Sequence, residues 1–312
     1  MSETVTGGGV PGSTADTGAA DAGNRGRSGD SGQIRGIVAM ACCAILWSLA
    51  GIFIKLIDWQ PFAIACGRSL IASIFLWACI RKPKFSFSPV QIGTAFAYAA
   101  TMLLFVFANK NTTAANAILL QYGAPIYVAL LGGPILKEKP AAEHWGALVA
   151  ICAGMVLFFM DSLGSGNLLG DTAAVAAGVT FALNTVLLRK QKDADPLSSL
   201  LLGHIVTAVI AGVISLFLPA PVITLTSVAA IAGLGVLQIG LATVLFAYAI
   251  KRITALQSML TAVLEPILNP VWVFLATGEK PSARSLAGGA IIVLAVMISS
   301  VISVRRAKNK VS

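Results

Sequence analysis

One acidic residue lies where an acid is costly. Of the 13 Asp and Glu residues, only Glu265 falls deep inside an apolar run. At a helical rise of about 1.5 Å per residue it sits about 16 Å from the near end of its run, close to the middle of a hydrocarbon layer. A charge at that depth costs about 2.5–3.5 kcal/mol on insertion scales, so it needs a partner or a task. Helical periodicity puts Ser258, Thr261, Glu265 and Trp272 on one face, with Gln257 and Asn269 at its edges. Pro266 and Pro270 follow, and each removes a backbone donor and frees a carbonyl. An acid, hydroxyls, an amide and an aromatic ring beside an interrupted helix make a binding wall. The acid can bind an amine or carry a proton. The competing reading is structural, with Glu265 paired to Arg68 at a similar depth or closing freed backbone donors. Arg68 can grip a carboxylate with its fork of donors, or bridge helices. His204, also within an apolar run, can relay protons or pack.

The elements that hold these residues follow from composition. Hydrophobic residues make up 57% of the chain and charged residues 11%, far from the quarter charged of a soluble domain. Apolar runs of about 20 residues recur, each long enough to cross a bilayer as a helix. Ten are read: 34–57, 60–80, 89–109, 112–136, 141–160, 171–190, 196–218, 226–250, 254–277 and 283–304. The runs are continuous rather than alternating, which selects helices over barrel strands. Residues 1–33, rich in Gly, Ser, Thr, Ala and Asp, read as a disordered tail and not as a signal peptide. Residues 305–312 form a short basic tail.

The net charge of +9 does not mark a nucleic-acid partner. With spans alternating from a cytoplasmic N-terminus, 17 of the 22 Lys and Arg fall on the inner side. This positive-inside bias places both termini in the cytoplasm. The five cysteines lie within spans without metal-ligand spacing and read as small buried hydrophobes. With two histidines there is no zinc-site pattern, and no glycine-rich phosphate loop points to ATP. No catalytic constellation is visible, and neither filter motifs nor charged rings suggest a channel. No cofactor is called for.

The chain is one apolar unit written twice. Thr113–Ala114, Pro125 and Glu138–Lys139–Pro140 recur 141 residues later as Thr254–Ala255, Pro266 and Glu279–Lys280–Pro281. Nearer the front of each copy the offset is 134, matching Gly36 with Gly170, Trp47 with Phe181 and Lys55 with Arg189. Five spans per copy is odd, so the second copy enters from the opposite face. The expected fold is all-α and integral to the membrane: ten transmembrane helices as two inverted five-helix repeats, 34–160 and 168–304, with a site between them near the midplane.

Leu46–Trp47–Ser48 with Lys55, Arg68, and the spacings Pro125 to Glu138 and Pro266 to Glu279 together resemble the drug/metabolite transporter superfamily of EamA type. The resemblance covers roughly residues 34–305. It implies a bacterial inner-membrane secondary transporter, often an exporter of amino acids or other small metabolites, with spans 1, 3, 4, 6, 8 and 9 lining the cavity. On that assignment Trp47, Thr94, Tyr98, Thr101, Asn116, Thr180, Asn184 and Gln238 join Gln257, Thr261, Glu265 and Trp272 as cavity candidates. Asn116 aligns with Gln257, which suggests an amide pair facing one cavity or gluing helices. Trp47, Tyr98 and Trp272 could stack on a flat or cationic ligand. The expectation is alternating access for a small polar or zwitterionic metabolite, outward, with protons as coupling ion. An importer of a vitamin or nucleoside and a non-transporting scaffold or sensor are the alternatives. Expected partners are a small-molecule substrate and the lipid bilayer.

Overall fold

The computed structural model describes residues 16–112, 114–161, 163, 167–277 and 282–309. Thr113 and the second glutamate–lysine–proline end, Glu279–Lys280–Pro281, lie outside them. The described backbone is helical throughout, without strands. In chain order the helices are α1 (Asp16–Ser48), α2 (Ala50–Lys55), α3 (Pro61–Ile80), α4 (Pro89–Asn111), α5 (Ala114–Gln121), α6 (Ala124–Leu136) and α7 (Ala142–Phe159). They continue as α8 (Leu168–Lys190), α9 (Pro196–Ser215), α10 (Leu225–Gly233), a π-helical segment (Leu234–Leu241), α11 (Ala242–Ile250), α12 (Ala255–Ala262), α13 (Leu264–Thr277) and α14 (Ala283–Asn309). Helix starts are cut sharply where proline follows a cap. Gln60, Ser88 and Asp195 each accept a bond from the next turn, with Pro61, Pro89 and Pro196 at the first helical position.

Two boundaries differ from the sequence reading. The helix that carries the first span begins at Asp16, inside the tail expected to lack structure. Extending a nucleated helix costs less than starting one, although Gly18, Gly23, Gly26, Gly29 and Gly32 are poor formers. Likewise α14 runs on to Asn309 through most of the basic tail.

Among the described residues, nine helices are long and apolar enough to cross a membrane, and the run expected over 254–277 is represented by the shorter apolar stretch Ala255–Leu268. The run 254–277 is divided at Val263 into α12 and α13. The run 112–136 is likewise broken, at Tyr122–Gly123 between α5 and α6. Subtracting the repeat offset of 141 from Val263 gives Tyr122, so the two breaks are equivalent. Each precedes a proline by three residues, Pro125 and Pro266. Their missing N–H leaves the carbonyl four residues back, Gln121 or Ala262, without its helical donor, and the ring crowds that carbonyl.

Large apolar side chains cover the outside. Ile74, Leu130, Val149, Val209 and Leu275 are all more than half exposed, as a bilayer-facing surface requires. The main core joins both copies, with Met40, Ile151, Leu188, Leu200, Phe246 and Met259 almost completely buried. The principal helix contacts are α4 with α8 and α9, α7 with α14, α3 with α9 and the π-helical segment, α5 and α6 with α8, and α1 with α11, α12 and α13. Contrary to the cysteine reading, only Cys43 is fully buried, while Cys42 and Cys79 are exposed.

Polar contacts pin α7 to α14 at both ends. At one end Arg306 meets Glu143 at 2.9 Å and His144 Nε2 lies 3.1 Å from Ser303 Oγ. At the other, Asp161 accepts from Ser282 Oγ at 2.7 Å and from Arg284 at 2.5 Å. Those two bonds, Ser282 first, hold the Asp161 carboxyl below its ordinary range. A lowered carboxyl stabilises the fold fully above its ordinary pKa and loses that contribution as pH falls through the lowered value. Wild type and Arg284→Ala are therefore expected to differ by a small, constant melting temperature at neutral pH and to converge in acid. Thermal melts across pH check this, and a difference that grows in acid contradicts it.

Candidate functional site

The deep polar residues converge between the two copies. Tyr122, at the α5–α6 break, donates its hydroxyl to Glu265 Oε2 on α13. The Arg68–Glu265 ion pair expected from depth alone is not formed. Arg68 Nη2 instead approaches Met102 Sδ at 3.6 Å. Periodicity and depth locate a residue along a helix but do not choose its neighbour.

A chain of contacts runs round the centre. Arg68 on α3 touches Met102 on α4, and Thr101 beside it lies 3.0 Å from Thr180 on α8. Asn184 lies one turn beyond Thr180 and is 1% exposed. Phe181, on the same turn, meets Trp47 of α1 edge-on at 6.1 Å, and Trp47 also meets Phe246 at 5.5 Å. The Trp47 carbonyl accepts from Gln238 Nε2 at 3.3 Å. Gln238 belongs to the π-helical segment, a distortion often found at functional sites. That segment closes the ring back on α3. At Gly235 a Cβ would stand 2.5 Å from Ile71 Cβ and 3.1 Å from the Arg68 carbonyl, so only glycine allows the approach.

Within this ring, Arg68 Nε, Asn184 Oδ1 and Gln238 Oε1 are buried with no hydrogen-bond partner among the described residues. The Gln238 amide is oriented by its bond to Trp47, so its acceptor is the end left over. A buried polar atom without a partner costs about 1–3 kcal/mol, which a bound polar group would offset.

Other candidates have structural duties. His204 is fully buried, 3.2 Å from the Tyr98 hydroxyl and 3.0 Å from Thr243 Oγ1. Gln257 is the third residue of a capping box, its Oε1 accepting from Thr254 N–H and its N–H bonding Thr254 Oγ1, both at 3.1 Å. Asn116 Nδ2 reaches Thr112 Oγ1 at 3.4 Å. The Gln257 amide thus serves a helix start. Ser258 and Thr261 bond the carbonyls four residues back and are buried within α12. Thr94 accepts from Gln191 at 2.8 Å, at the end of α8 and away from the ring. Trp272 donates to Ser48 Oγ at 2.7 Å. Trp47 packs against Phe181 and Phe246, Tyr98 against His204, and Trp272 bonds Ser48, so each ring holds a different neighbour. Two partners escaped the sequence reading. Tyr122 was marked only by its place three residues before Pro125, and Thr243 by nothing.

A helical membrane protein with a buried polar ring between two like halves has the form of a membrane transporter. The EamA-like transporter family model matches the chain twice, over residues 34–160 and 168–301, and the chain belongs to that family. An uncharacterized transporter of Archaeoglobus fulgidus is 28% identical over 281 residues, covering 84% of this chain and 96% of the relative. Mouse solute carrier family 35 member G1 is 24% identical over 176 residues, covering 50% of this chain and 47% of the relative. A crystal structure of another protein shares the fold, with a TM-score of 0.74 at 20% identity over 87% of this chain and 98% of that one.

Proposed function

We propose that the protein is a secondary active transporter that exports a small zwitterionic metabolite, an amino acid or a related compound, across the bacterial inner membrane. The observation that carries this reading is that one ring holds both a donor and acceptors that are buried and unpartnered among the described residues. Arg68 Nε offers a donor and a positive charge. Gln238 Oε1 and Asn184 Oδ1 offer acceptors. An α-carboxylate suits the first and an ammonium the second.

Alternating access operates between two inverted five-helix units, 34–160 and 168–304, with α12 and α13 together forming the ninth of ten spans. Helix packing supports this arrangement. Exchanging equivalent spans turns α4 with α8 into α11 with α1, and α6 with α8 into α13 with α1, all of them observed contacts. The pairs α3 with α9 and α7 with α14 map onto themselves. Both termini lie on the side holding 17 of the 22 Lys and Arg, the cytoplasmic side. Glu265 is the site of proton coupling.

The test is metabolite profiling of cells and medium, comparing overexpressed protein with an empty vector. The expected outcome is extracellular accumulation of one zwitterionic class. Drainage of that class from the medium replaces export with import. No change in any pool, with the protein present in the membrane, leaves a scaffold or sensor.

A further inference from the structure

We infer that the Glu138 carboxylate is a latch that closes the basic end of the pathway between the two halves and must open in each transport cycle. The inference rests on the transport reading and goes beyond it. At the end of α6, Lys137 adopts a left-handed conformation with φ of 58°, and the Lys137 and Glu138 amides bond back to Gly133 and Gly132. The chain thereby reverses and aims Glu138 at the second copy. Glu138 Oε1 accepts from Arg189 Nε of α8 at 2.7 Å, and Oε2 accepts from the Ala255 amide of α12 at 3.2 Å. Arg189 Nη1 donates in turn to the Ile250 carbonyl at the end of α11, at 2.7 Å. One carboxylate thus ties the end of α6 in the first matched segment to three helix ends in the second.

Its place is that of a gate. Arg189 lies five residues beyond Asn184 on α8, about 7 Å toward the basic end. Ala255 lies ten residues before Glu265, about 15 Å in the same direction. The α12 N-terminus presents its positive dipole end to the carboxylate. A small cavity is lined by Glu138 and Ala255 themselves, together with Val128, Gly132, His144 and Leu256. The Arg189 and Glu138 side chains are 11% and 26% exposed, so the pair is shielded yet close enough to the surface to separate into water. Pro134 interrupts α6 one turn earlier and gives that end a place to bend.

The experiment measures access to a single cysteine at Leu256→Cys, with the five native cysteines replaced. The full chain is labelled by a membrane-impermeant maleimide from the basic face of oriented vesicles, without substrate. Glu138→Gln is expected to raise the labelling rate about tenfold by populating the open state. Arg189→Gln, which leaves the bond to Ala255 in place, is expected to act in the same direction. Melting temperature is read on each variant. Unchanged labelling in folded variants overturns the latch and leaves Glu138 a helix cap, as does misfolding of both variants. Flux through the same vesicles reports the transport reading separately, so either claim can fail alone.

Discussion

Glu265→Gln is expected to abolish net transport while leaving the protein folded. The substitution keeps size and an oxygen for the Tyr122 hydroxyl but removes the charge and the capacity to carry a proton. Removing the charge from a buried carboxylate that accepts a hydrogen bond costs about 2–3 kcal/mol, which corresponds to a loss of about 30-fold or more in flux. Tyr122→Phe keeps the charge and removes one neutral–charged hydrogen bond, so its loss is expected to be smaller, about tenfold, from about 1.5 kcal/mol. Two assays on proteoliposomes separate the roles. Loss of both accumulation and substrate exchange marks a binding carboxylate. Loss of accumulation with exchange retained marks proton coupling. Flux equal to wild type in both assays assigns Glu265 a structural role and sinks the proposal.

Gly288→Leu is expected to cause the largest loss of stability, about 3 kcal/mol or more, the upper range for overpacking. At Gly288 a Cβ would stand 2.5 Å from the Phe158 amide nitrogen and 2.6 Å from the Gly154 carbonyl. At Gly154 it would meet Ile292 at 2.7 Å and the Gly288 carbonyl at 3.0 Å. The obstacles include backbone on both helices, so no rotamer change relieves them. Helices α7 and α14 must separate, and close approach of small residues is what holds helices together in lipid. Gly146, on the same α7, has open space around it. Gly146→Ala is expected to be neutral or to stabilise by up to about 1 kcal/mol through helix propensity. Thermal melts followed by size-exclusion chromatography decide the matter. A Gly288→Leu protein that melts like wild type would show that the two helices are not in contact there.

Several features were legible in the residues themselves. Apolar runs of bilayer length, the scarcity of charge and the doubled pattern define a helical membrane protein of the EamA-like family, because each depends on composition along one helix. Glu265 stood out for the same reason, since its depth is a count of residues. The Thr254-to-Gln257 cap was also legible as a helix-start signature, but a span read as continuous hides it. Partners were another matter. Arg68 and Glu265 share a depth without touching, while Tyr122 and Glu265 touch across 143 residues of chain. His204 chooses Tyr98 and Thr243, and Glu138 chooses Arg189. Depth and periodicity constrain a side chain along and around its own axis. Which helix lies opposite depends on packing between the two copies. Composition and repeat therefore settle what kind of protein this is, and only the tertiary structure decides which polar groups meet, because contact is a property of two helices and pattern of one.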